Sequence, residues 1–260
     1  MSDRRERQKR ARAAAKAAQR KATARRELRR RVTVGLSLGA AVAVALLLLG
    51  TFTSDTEEIP EALDAFRDQP TACGASQPDP ASDLQFDAPI NQALRPGSTV
   101  TATLETSCGT VVVELALDEF PQTVNNFVFL ARNGYYDGTA FHRIAADFVI
   151  QGGDPTATGS GNPGYSIPDE FPDAGFVYEP GVVAMANAGR GTTGGQFFIV
   201  SGDTAASLNP SFNVLGRVVE GFDAVERIDE VSTRGQPGGR EQSYPTESVY
   251  LESVTITVEG

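Results

Sequence analysis

From Gly97 onward the apolar residues come in short β-rich runs separated by glycine and proline, a pattern of many short strands rather than long helices. The run 99–105 alternates Thr with Val, Ala and Leu, a turn follows near Ser107 to Gly109, and 110–117 is again apolar, so these two runs predict a hairpin. Val124, Phe127, Val128 and Ala131 fall at i, i+3, i+4 and i+7, behind Pro121 and ahead of Gly134. That spacing predicts one amphipathic helix with a proline in its first turn and a glycine stop. Further strands are predicted at 140–144, 148–151, 182–186, 196–200, 214–219 and 250–258, and a second short helix at 222–228. Many strands with few helices favour a closed β-barrel over a parallel sheet.

Upstream the texture differs. Residues 53–97 are acidic and broken by Pro60, Pro70, Pro78, Pro80, Pro89 and Pro96, with no sustained period, and read as a linker; only 59–66 has an amphipathic, helix-compatible pattern. Residues 32–52 contain no ionisable side chain. At about 1.5 Å per helical residue such a segment spans roughly the 30 Å hydrocarbon core of a bilayer.

Charge gives that segment a direction. Residues 1–31 carry 14 of the 23 Lys and Arg against Asp3, Glu6 and Glu27, while the whole chain has a formal net charge of −10. A basic flank stays in the cytoplasm, which predicts a basic cytoplasmic arm (1–31), a transmembrane helix (32–52) and an exported remainder from Ser54 onward. A cleaved signal peptide is the main competitor, but Gly50-Thr51-Phe52-Thr53 makes a poor cleavage site. The arm runs straight into an apolar segment, so contact with anionic lipid is expected of it and nucleic-acid binding is not. Cys73 and Cys108 both fall on the exported side, where a disulfide persists, and the sequence leaves open whether they pair.

Several kinds of chemistry are poorly supported. Gly159-Ser160-Gly161-Asn162-Pro163-Gly164 fits G-x-G-x-x-G, but Pro155, Pro163 and Pro168 surround it and no helix follows, so it reads as a surface loop. Asn209-Pro210-Ser211 is excluded as a glycosylation site by its proline. The single histidine, His142, lies in a predicted strand flanked by Phe141 and Ile144 and reads as structural; no Cys/His cluster or G-x-S-x-G elbow accompanies it.

Three ordered runs remain: Phe141-His142-Arg143 with Phe148 and Gln151-Gly152-Gly153-Asp154; then Met185-Ala186-Asn187-Ala188-Gly189; then Gln196-Phe197-Phe198-Ile199. From about Thr99 to the end, the chain resembles the cyclophilin-type peptidyl-prolyl cis-trans isomerases. The resemblance implies a mainly β fold, a closed antiparallel eight-stranded barrel capped by two helices, over residues 98–260. It implies that Arg143 is the catalytic residue and that Phe148, Val149, Gln151, Ala186, Asn187, Gln196, Phe198, Leu208 and Phe212 line the substrate groove. The substrates would be proline-containing polypeptides handled by a monomer. Rotation about a prolyl bond crosses a barrier of about 20 kcal/mol without breaking a covalent bond, so no cofactor, metal or nucleophile is required. The chain departs from the family in having Ser207 at a position where many members carry a rim tryptophan, Phe212 in place of a histidine and Val149 in place of a methionine. A groove with a changed substrate preference follows. Two functions compete: a foldase for exported proteins at the outer membrane face, and a proline-peptide-binding chaperone or scaffold with little turnover. A third reading makes the basic arm the working part.

Overall fold

The computed structural model describes residues 62–235 and 241–260. The arm, the apolar segment 32–52 and the start of the linker lie outside the described residues; no helix among the described residues is long and apolar enough to cross a membrane. The compact unit runs from Ile59 to Gly260.

The strands are β1 (Thr99–Thr106), β2 (Gly109–Leu115), β3 (Thr139–Ala140), β4 (Arg143–Ala145), β5 (Val149–Gly152), β6 (Val182–Met185), β7 (Phe197–Val200), β8 (Val214–Glu220), β9 (Thr233–Gly235), β10 (Gln242–Pro245) and β11 (Tyr250–Glu259). The α-helices are α1 (Ala62–Arg67), α2 (Pro121–Arg132) and α3 (Phe222–Asp229). Nine strands form one antiparallel sheet in the order β3-β11-β1-β2-β8-β6-β7-β5-β4, and β9 and β10 make a separate ribbon.

The two expected helices are present, but the closed barrel of eight strands is corrected. The sheet is a curled, open one: its two edge strands, β3 and β4, do not pair with each other. They are consecutive in the chain, separated only by Phe141 and His142, so the run expected as one strand at 140–144 is cut in two. Both intervening residues are buried, which is why an apolar pattern alone did not reveal the break.

Period-2 geometry builds the interior. In β1, Val100, Ala102, Leu104 and Thr106 point inward and their neighbours outward, and β1 pairs along its length with both β2 and β11. Strands β6 and β7 are covered on both faces and read as continuous apolar runs, while β5 breaks its run at the half-buried Gln151. Ile150, Val183, Met185, Phe197 and Ile199 join the main core, whereas Val149, Val182, Ala184, Phe198 and Val200 belong to a second cluster. The functional side chains grow from that second face.

Helix α2 buries Val124, Phe127, Val128 and Ala131 as its spacing predicts. Its first residues lack a local side-chain cap, and Glu170 substitutes from a distant loop, accepting from the Thr123 N–H at 2.8 Å and the Gln122 N–H at 3.3 Å. A carboxylate there satisfies orphan donors and complements the helix dipole.

Residues 62–98 form a strap across the outside of the sheet. Phe66 of α1 is fully buried with Tyr250 and Ala140. Thr71 bridges to Ser248, and a disulfide joins Cys73 to Cys108, with the Cα atoms 5.2 Å apart. Further along, Phe86 donates its N–H to the Pro163 carbonyl at 2.8 Å and sets its ring edge-on to Phe129 at 5.0 Å. Gln92 and Gly97 N–H groups reach the Asn125 and Asp118 side chains at 2.7 and 2.8 Å.

Candidate functional site

The outward face of β5 to β7 is roofed on one side by the turn before β5 and on the other by the segment 208–212. Phe198, 4 % exposed, is the floor, and Phe148, Ala186, Leu208 and Phe212 stand half-buried around it. Phe212 meets Phe198 edge-on with centroids 5.3 Å apart. Val149, 2 % exposed, supports the floor from within the cluster and offers little surface of its own. The result is an apolar well with an open mouth.

Tyr178 fixes one wall of this well, and sequence reasoning did not single it out. Its hydroxyl donates to the Phe212 carbonyl at 2.9 Å and accepts from the Phe212 N–H at 3.1 Å. Burial raises its pKa, with the Phe212 hydrogen bond opposing, so the hydroxyl keeps the proton it donates. Nothing in the sequence neighbourhood of Tyr178 signals that role.

Beside the well runs a hydrogen-bonded rail. Arg143, at the first position of β4, holds its guanidinium carbon 5.7 Å from the Phe148 ring centroid. Its Nη1 points to Gln151 Oε1 at 3.4 Å; Gln151 donates to Gln196 Oε1 at 3.0 Å; Gln196 donates to the Gly161 carbonyl at 2.9 Å. Arg143 and Gln151 are cross-strand partners on β4 and β5, which is why residues eight apart in sequence meet here. On the other edge of the guanidinium lies Glu241, 98 residues away in the chain and in no motif that would have singled it out.

The rail opens onto a groove of about 550 Å³ whose walls include Gln151, Gly161, Asn162, Ala186, Asn187 and Gln196. The Asn187 side chain ties its own loop to the segment 208–212, donating to Ser211 O at 2.9 Å and accepting from Gly189 N at 3.1 Å. The glycine-rich loop 159–164 is one wall, as its reading as a surface loop allows. Asp154 organises it from inside, accepting from Gly161 N at 3.0 Å. The strap braces it from outside through Pro163, and Gly164, at φ +92°, lies so close that a Cβ would come 2.7 Å from the Phe86 carbonyl oxygen.

The structure therefore places Phe148, Phe198, Leu208 and Phe212 in the apolar cluster with Arg143 beside Phe148, and Gln151, Ala186, Asn187 and Gln196 along the adjoining groove. His142, by contrast, turns into the protein: it is 6 % exposed, and burial lowers its pKa, which leaves it neutral. Ser207 is exposed beside Leu208.

Residues 101–256, more than half of the chain, match the family described as cyclophilin type peptidyl-prolyl cis-trans isomerase/CLD. The chain belongs to that family. It is an isomerase of the cyclophilin type. Relatives of this cyclophilin domain include the probable peptidyl-prolyl cis-trans isomerase A of Mycobacterium leprae, 42% identical over 173 residues, which cover 60% of this chain and 92% of the relative. Human peptidyl-prolyl cis-trans isomerase-like 1 is 47% identical over 137 residues, 51% of this chain and 81% of the relative. Among solved structures, a cyclophilin-type isomerase of Cryptosporidium parvum superposes with a TM-score of 0.55 at 28% identity, covering 61% of this chain and 98% of that one. The same Cryptosporidium protein in the presence of the dipeptide Ala-Pro superposes with a TM-score of 0.54 at 28% identity, covering 60% of this chain and 98% of that one.

Proposed function

We propose that the cyclophilin domain accelerates prolyl isomerisation through Arg143, acting on exported polypeptides at the outer face of the membrane that residues 32–52 span. The observation that carries the catalytic part is the guanidinium lying over Phe148 at the lip of the apolar well, with Nη1 directed along the cleft toward Gln151.

The chemistry follows from that geometry. The proline ring enters the well of Phe148, Phe198, Leu208 and Phe212, where a rigid, apolar ring loses little entropy and sheds water. That fixes one end of the bond. Arg143, always charged, donates to the substrate beside the imide nitrogen, and this contact strengthens as resonance is lost and the nitrogen becomes pyramidal in the twisted state. Gln151 and the Asn187 main chain hold the flanking peptide, so rotation is confined to one side of the bond. Phe212 in the wall gives a more apolar lip than a histidine would, which favours substrates with apolar residues next to proline.

Two features support the location. The basic arm next to the apolar segment sets the topology, and the Cys73–Cys108 disulfide suits an oxidising compartment. The catalytic part is tested by NMR exchange spectroscopy on an uncharged Ala-Pro tetrapeptide. Wild-type protein accelerates exchange, and Arg143→Ala slows it about 100-fold, the loss expected for one preorganised donor, with peptide affinity nearly retained. Binding without acceleration in the wild type would make the domain a proline-peptide holder instead. Protease digestion of intact cells tests the location: the domain is cut from outside if exported and protected if not.

A further inference from the structure

Arg143 is held from two sides. Glu241 stands at the base of β10, and β10 packs against β4, the strand that carries Arg143. Glu241 Oε2 accepts from Arg143 Nε at 2.8 Å and Oε1 from Nη2 at 2.7 Å, a side-on, two-point pairing that occupies the Nε edge of the guanidinium. Ser243 in turn donates to Glu241 Oε2 at 2.9 Å and steadies the carboxylate. On the opposite side of the guanidinium, Nη1 points to Gln151 Oε1 at 3.4 Å.

We propose that Glu241 is a positioning residue for the isomerisation: it fixes the rotamer and plane of the Arg143 guanidinium and leaves the Nη1–Nη2 edge for the substrate. Arginine has a long side chain with many rotamers, and catalysis by a donor requires it to be in place before the bond twists. A planar fork gripped along one edge by a carboxylate has its other edge aimed. Arg143 is 22% exposed and Glu241 46% exposed, so water competes for this pair and the pair contributes little to stability, whereas its geometry acts directly on the reacting group. The Arg143 hydrogen bonds, aided by that of Ser243 and opposed by partial burial, hold the Glu241 carboxyl below the usual carboxylate range, so the pairing is ionic at neutral pH.

This inference rests on Arg143 acting as proposed above, and a double-mutant cycle on the full-length chain separates the two. Exchange rates and peptide affinity are measured for wild type, Arg143→Ala, Glu241→Ala, Glu241→Asp and Arg143→Ala/Glu241→Ala, with melting temperatures alongside. Glu241→Ala is expected to lower the catalysed rate about 10-fold with peptide affinity changed less than 2-fold, and Glu241→Asp, which keeps a carboxylate of shorter reach, to recover part of that loss. In the Arg143→Ala background the same removal of Glu241 is expected to change nothing. An unaffected or faster Glu241→Ala enzyme overturns the proposal, as does an equal loss in both backgrounds, which would mark a general effect on the fold. If Arg143→Ala itself keeps full activity, the catalytic reading fails first and Glu241 has nothing to position.

Discussion

Phe197 in the sheet and Phe86 in the strap are both aromatic residues set against other rings, yet they are held in different ways. Phe197 is fully buried and meets Phe127, Tyr136 and Phe141 edge-on at 5.8, 5.7 and 6.3 Å. Phe86 is half-buried and meets one ring, Phe129, while its backbone reaches the loop at Pro163. The sheet is secured by ladders and a shared core; the strap is secured at points, by a disulfide, the buried Phe66 and Ala72, a few half-buried apolar side chains and backbone contacts to loops and to α2. A region secured at points contributes less to global stability but has leverage on whatever its points touch, and here one of them is the loop 159–164 that walls the groove.

Four measurements test this contrast. Phe197→Ala should cost about 3–5 kcal/mol in urea unfolding, the range for truncating a buried aromatic. Removing the disulfide with Cys73→Ser/Cys108→Ser should cost about 4 kcal/mol on the chain-entropy account and expose the strap to limited proteolysis before the sheet unfolds. Gly164→Ala should cost about 1–3 kcal/mol, because it places a side chain at positive φ against the strap backbone. It should also weaken binding of peptides that extend past the proline while sparing Ala-Pro itself. Phe86→Ala should cost about 1 kcal/mol, and its groove effect should match that of Gly164→Ala. If Phe86→Ala destabilised as much as Phe197→Ala, the strap would be core rather than appendage. If neither groove effect appeared, the strap would not act on the site.

What could be seen in the sequence follows the same division. The hairpin of β1 and β2 and the helices at 121–132 and 222–229 were anticipated within a residue or two, because each buries one face and so repeats at its own period. Most of the residues around the cleft were picked out by three ordered motifs, and Leu208 and Phe212 by the wider resemblance, rather than by any property of a single position. Glu241 and Tyr178 were not, since each acts by a contact with a residue distant in the chain and neither belongs to a periodic pattern. The β9–β10 ribbon was missed because Gln242, Ser243 and Pro245 have little strand propensity and pair only with one short partner. The strap carried proline and acid throughout, which reads as a spacer; its attachments are made by residues such as Thr71, Gln92 and Gly97 whose identity does not announce them.

The two rims of the sheet have a further consequence. They are only two and three residues long, and each is already met: Ala140 of β3 by a bridge to Asp154, and β4 by the neighbouring ribbon. A catalyst of prolyl rotation encounters extended, incompletely folded chains, and a long bare rim would zip onto them as an extra strand and hold them. Keeping those rims short and occupied lets a client leave after its bond has turned, instead of being recruited into the catalyst's own sheet.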